Sequence, residues 1–159
     1  MEEETYTTTI DLNVDAYIPE SYIPNEYQKL DVYKRIAAIE NEEEMEDMLE
    51  ELIDRFGDIP KKVQQLLKIA NLKAMAHQVY VTAVEQKGEQ YIFTMYEKAR
   101  VNPARIPAML ESYKGSLVFR AEETPCFIYQ KKGFNKKEKD EDILEVVKNV
   151  LISMQGLLE

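Results

Sequence analysis

The chain has 159 residues, 45% hydrophobic and 31% charged, which is enough apolar material to bury a core and too much for disorder throughout. Its formal charge of −10 argues against a surface built wholly for nucleic acid, and no stretch approaches the roughly 18 apolar residues of a membrane span. One cysteine, Cys126, excludes an internal disulfide, and Met1-Glu-Glu-Glu is unlike a signal peptide, so a soluble, cytoplasmic protein with no membrane contact is expected.

Residues 1–9 are polar and read as a flexible linker or an added start. Ile10, Leu12, Val14 and Ala16 then alternate with polar residues, a period of two that predicts a strand with one buried face. Pro19 and Pro24 bracket an extended connection, because proline disfavours helix at the residue before it. Asn25 with Gln28 is a capping signal that opens a helix to about Ile39, with Leu30, Tyr33 and Ala37 as its inward stripe.

Asn41 with Glu44 repeats that signal and opens an acidic helix. Between Glu40 and Asp58 stand ten acids and one arginine, a net of −9, so the rest of the chain is near neutral. Met45, Met48, Leu49, Leu52, Ile53 and Phe56 form its apolar face, and Glu51, Asp54 and Arg55 fall on the side away from it. Gly57 is expected to close this helix in the left-handed conformation, and Pro60 to open the next. That helix, to about Val79, is apolar on two sides and is expected to be central.

From Val81 the period changes. Val81–Gln86 and Tyr91–Tyr96 predict a hairpin with Gly88 in its turn. Asn102-Pro103 starts a short helix that ends at Gly115, with Ile106, Met109, Leu110 and Tyr113 inward. Two more strands follow, Leu117–Arg120 and Cys126–Gln130, then a charged loop and a last helix over about Asp140–Leu158. Helices followed by a small, mostly antiparallel sheet flanked by helices make an α+β fold, read as a single domain over 10–159.

Chemistry is sparse. There is no Gly-rich phosphate loop, no GxSxG and no Cys/His cluster at metal-ligand spacing, so no catalytic residue, cofactor or metal is expected. His77, the only histidine, lies in line with the central helix stripe and reads as a core or boundary residue, since catalysis needs partners. Cys126 has no base beside it and reads as a small buried hydrophobe. The acid run lacks the loop that would wrap oxygens round calcium. Lys131, Lys132, Lys136, Lys137 and Lys139 are mixed with acids and read as a solvated loop. Glu42–Glu44 suit the positive end of their helix, whereas Glu51 and Asp54 sit at the end where acids are unfavourable. Arg55, four residues after Glu51, offsets part of that.

Ile10-Asp-Leu-Asn-Val-Asp-Ala-Tyr-Ile-Pro19, Tyr22-Ile-Pro24 and Glu51-Leu-Ile-Asp-Arg-Phe-Gly57 with Pro60 resemble the C-terminal domain of the bacterial transcription-repair coupling factor, Mfd. The resemblance runs from about Ile10 to the end and is firmest over 10–75. It implies an excised, non-catalytic regulatory domain, with the motor motifs and the polymerase-binding module lying elsewhere in a parent that is an ATP-dependent DNA translocase. The parent would meet RNA polymerase and DNA through its other domains. The domain would dock on the parent's UvrB-like N-terminal module and mask the surface used by UvrA, an autoinhibition acting in transcription-coupled nucleotide excision repair. The family's interdomain protein contacts fall on Glu51, Asp54 and Arg55. The alternative reading is a free-standing acidic adaptor for a separate basic protein.

Overall fold

A computed structural model describes residues 6–131 and 139–159. The linker residues 1–5, and Lys132, Lys136 and Lys137 of the charged loop, lie outside the described residues. The α+β class expected from the sequence is the class observed. Contacts divide the chain into two compact units, Val14–Met75, and Met1–Asn13 together with Ala76–Glu159.

The helical unit begins with an irregular tract that contains both prolines; between them the chain turns instead of running extended as expected, because the Tyr22 and Ile23 N–H groups both donate to the Pro19 carbonyl, at 3.0 and 3.2 Å. It continues through α1 (Glu26–Ala37) and α2 (Glu42–Phe56) into α3, which runs Lys61–Gln78. Asn25 and Asn41 cap α1 and α2 as expected, accepting from the N–H groups of Gln28 (3.0 Å) and Glu44 (2.8 Å). The Glu44 carboxylate reaches back one residue further than a simple capping box, accepting from the Glu40 N–H at 2.9 Å. Ile18, Ile23, Val32, Ile36, Met48, Leu52, Val63 and Leu67 are buried in one cluster. Each such side chain withdrawn from water stabilises the unit by about 1.5–3 kcal/mol before entropy is counted.

Two inward stripes differ from expectation. On α1 the buried residues are Val32 and Ile36, while Leu30 is 54% exposed and Ala37 is also exposed. Both registers satisfy helical spacing. The proline-containing tract selects between them: Ile18 and Ile23 share the cluster with Val32 and Ile36, and of the expected stripe only Tyr33 stays against it, its hydroxyl accepting from the Ile18 N–H at 2.8 Å. On α2, Ile53 is exposed rather than inward. Gly57 ends α2 with φ +89° and ψ −164°, a region essentially confined to glycine and more extended than the left-handed helical one expected. Pro60 stands just before α3, its carbonyl accepting from Val63 and Gln64. As expected, α3 is buried on two sides: Val63 and Leu67 on one, Leu72 and Ala76 on the other.

The sheet unit holds β1 (Thr9–Asp11), β2 (Val81–Lys87), β3 (Gln90–Met95), β4 (Leu117–Arg120) and β5 (Cys126–Gln130) in the order β1-β2-β3-β5-β4. β1 pairs parallel with β2 and every other pairing is antiparallel. The expected 10–16 strand keeps its alternating exposure beyond Asp11, but the ladder stops there, and the Asn13 N–H is taken by the Gln86 side chain. The β2–β3 turn is tighter than expected, with only Gly88 and Glu89 between strands; Gly88, at φ +60°, supplies the first position of such a turn. A 3-10 turn at Pro103–Arg105 leads into α4 (Ile106–Ser112), and α5 covers Asp140–Gln155. Ile143, Leu144, Val147, Val150, Leu151 and Met154 of α5 are buried. Arg105 caps that helix by donating to the carbonyls of Gly156 and Leu158.

Candidate interaction site on the acidic helix

The three residues singled out in the sequence lie at the C-terminal end of α2. At roughly 100° per residue, Asp54 stands opposite the buried face, while Glu51 and Arg55 stand on its flank. Asp54 is exposed and makes no hydrogen bond or ion pair among the described residues. Glu51 is tied down by a residue the sequence reading missed: Arg35, in the last turn of α1, grips it bidentately. Nη1 of Arg35 donates to Oε2 of Glu51, and Nη2 to Oε1 at 2.6 Å. Arg55 Nη1 adds a third bond to Oε2 at 3.1 Å, and its guanidinium lies 4.9 Å from the centre of the Phe56 ring.

The electrostatics follow from that geometry. The Arg35 hydrogen bonds, reinforced by those from Arg55 and by both positive charges, hold the Glu51 carboxyl down to about 2 against a partial desolvation that opposes them. Glu51 therefore stays ionised at the helix end where an acid is least favoured. Its side chain remains 34% exposed, leaving carboxylate surface for a partner. The trio and Asp54 together carry two positive and two negative charges, so this end of the helix is a mixed patch rather than an acidic one. The signal for Arg35 was present in the short connection between α1 and α2, which returns the basic end of α1 beside the acidic helix; the partner on α2 could not be read from spacing.

Tyr22 fixes the same turn from the other side. Its hydroxyl lies 3.0 Å from the carbonyl oxygens of both Leu52 and Gly57, and its ring meets Phe56 at 5.8 Å. Burial, helped by the Asp58 charge, pushes its phenol up, so it stays a protonated donor. Beside the trio lies an open concavity of about 300 Å³ between the end of α1 and α2.

The other candidates are structural. His77 Nδ1 lies 3.1 Å from Thr8 Oγ1. Because Thr8 donates its one hydroxyl proton to the Val81 carbonyl, His77 is the donor in that pair. The Tyr6 ring is tilted against His77 and stacked on Tyr96, with ring centres 4.3 and 4.6 Å away, and its hydroxyl donates to the His77 carbonyl. Thus residues 6–9 of the expected linker are packed against the sheet unit. Cys126 is half-buried rather than buried, and burial pushes its thiol up, away from the reactive thiolate. Among the described residues no group of three or more His, Cys, Asp or Glu is placed to hold a metal ion, and no helix is long and apolar enough to cross a membrane.

A crystal structure of the C-terminal domain of transcription-repair coupling factor aligns with a TM-score of 0.81 and 26% identity, over 96% of this chain and 94% of that one. Fold and motif together therefore define an α+β domain of the kind found at the C-terminus of such factors. The TRCF domain family model matches residues 12–106, and the chain belongs to that family. Transcription-repair-coupling factors of Staphylococcus haemolyticus strain JCSC1435 and Bacillus subtilis strain 168 are each 41% identical to it, over 57% and 60% of the chain. The chain spans about 8% of the length of either relative.

Proposed function

We propose that this is the non-catalytic, autoinhibitory C-terminal domain of a transcription-repair coupling factor. It docks through Glu51, Asp54 and Arg55 on the parent's UvrB-like N-terminal module and masks the surface that UvrA uses in transcription-coupled nucleotide excision repair. The regulatory domain extends over 10–159, and the parent is a cytoplasmic, ATP-dependent DNA translocase that meets RNA polymerase and DNA through its other domains. The observation that carries the reading is the division of labour at the end of α2. Glu51 holds both guanidiniums in place, and Asp54 faces outward with no role in holding the unit together. Arg55 then presents donors and Asp54 an acceptor, with the remaining Glu51 surface between them.

Exposed pairs contribute about 0.2–1 kcal/mol each, so the contact is a latch of several weak bonds, and a latch of that strength can open when the parent changes state. The test is UvrA binding by the full-length parent. Glu51→Ala with Asp54→Ala raises UvrA affinity, and Asp54→Ala alone raises it while leaving the Arg35 grip on Glu51 intact. An unchanged UvrA affinity in both variants rejects the clamp. The same docking weakens as salt rises, because these charges are screened over about 10 Å at 0.1 M.

A further inference from the structure

We infer that the concavity between α1 and α2 receives a basic side chain of the docking partner, with Asp47 as its counter-charge. This rests on the reading that the α2 surface docks on another protein module, and it adds a contact one helical turn before Glu51. The floor is apolar, Ile39 and Met48 being 8% and 5% exposed, and exposed Ala38 also lines the hollow. The rim is charged, with Arg35 on one side and Glu44, Asp47 and Glu51 on the other, a net of −2.

Three of those four charges already have work within the unit. Arg35 and Glu51 hold each other, and Glu44 accepts from the Glu40 N–H. Asp47 is exposed and has no hydrogen bond or ion pair among the described residues. A hollow with an apolar floor and one uncommitted carboxylate at its rim matches a lysine or arginine side chain. The methylene stem lies over Ile39 and Met48, and the charged head reaches Asp47. An acidic or wholly apolar occupant would leave a carboxylate facing like charge or stripped of water.

Titrating the 159-residue chain with N-acetyl-arginine methylamide, followed by amide chemical shifts, tests this directly. Shifts at Ala38, Ile39, Asp47 and Met48 are expected with that probe. They are absent with N-acetyl-norleucine methylamide, which has a similar stem and no charge, and absent in Asp47→Asn. No movement at those four amides, or equal movement in Asp47→Asn, overturns the inference. In the full-length parent, Asp47→Asn is expected to raise UvrA binding by about 1.4- to fivefold, the range of one exposed charge pair. Probe binding at the hollow, with UvrA binding indifferent to every α2 substitution, sinks the clamp and leaves the hollow standing. A response to Asp54→Ala but none to Asp47→Asn, with no probe shifts, sinks the hollow alone.

Discussion

The two units are held together in different ways. The sheet unit rests on strand ladders and a continuous apolar layer, in which Tyr91, Phe93, Phe127, Leu151 and Met154 are fully buried. The helical unit has a smaller cluster and adds side-chain locks to it: Asn25 and Asn41 at helix starts, Tyr33 on Ile18, Tyr22 on the end of α2, and Arg35 on Glu51. Among the described residues it also holds four of the six exposed large hydrophobics, Tyr17, Tyr27, Leu30 and Ile53, and it carries a net charge of −6 of the chain's −10. Both units carry side-chain links, but those of the helical unit brace the exposed end of α2. Stability and docking should therefore separate under mutation.

The largest effect expected is in the sheet. Phe93 is fully buried on β3, between β2 and β5, and Phe93→Ala should destabilise by about 3–5 kcal/mol from lost transfer energy and the cavity left behind. Denaturant unfolding followed by amide signals of both units measures this. A loss below about 1 kcal/mol would break the contrast by showing that the ladder alone holds the sheet. Next is Tyr22→Phe, which keeps the ring against Phe56 but leaves two carbonyls without their shared donor. It should cost about 0.5–1.5 kcal/mol and weaken docking beyond that cost by loosening the turn that carries Asp54. Equal docking in Tyr22→Phe would mean that the turn is set by Gly57 and the helix alone.

The smallest effect is on pH dependence. With the folded Glu51 carboxyl lowered from 4.5 to about 2, its ion pairs contribute stability that is present above pH 4.5 and is lost as pH falls towards 2. The unfolded chain takes up the proton first, so acid favours unfolding across that window. Both side chains are partly exposed and screened, which limits the contribution to about 0.2–1 kcal/mol. Stability curves of the wild type and Glu51→Gln should lie a constant distance apart above about pH 4.5 and converge as pH falls towards 2. Parallel curves across that fall would show that the Arg35 grip adds nothing in solution.

Local chemistry was legible in the residues. Asn25, Asn41, Gly88 and the Gly57–Pro60 corner each act within a few positions of themselves, and their side-chain geometry requires no distant partner. Strands Leu117–Arg120 and Cys126–Gln130 could be read for the same reason, from a short β-rich pattern bounded by breakers. The acidic helix and the outward position of Asp54 follow from helical spacing and a strong apolar face.

Tertiary structure decided what local spacing leaves degenerate. Leu30-Tyr33-Ala37 and Val32-Ile36 both satisfy helical spacing, and the tract carrying Ile18 and Ile23 buries Val32 and Ile36, keeps Tyr33 against the cluster and leaves Leu30 and Ala37 exposed. Glu51 read as a spare acid at an unfavourable helix end. It became a braced carboxylate because Arg35, sixteen residues earlier, is brought beside it. Tyr22, Arg35 and Asp47 acquire their roles through contacts across elements, and the free energy of such contacts depends on distances that close only when the chain has folded.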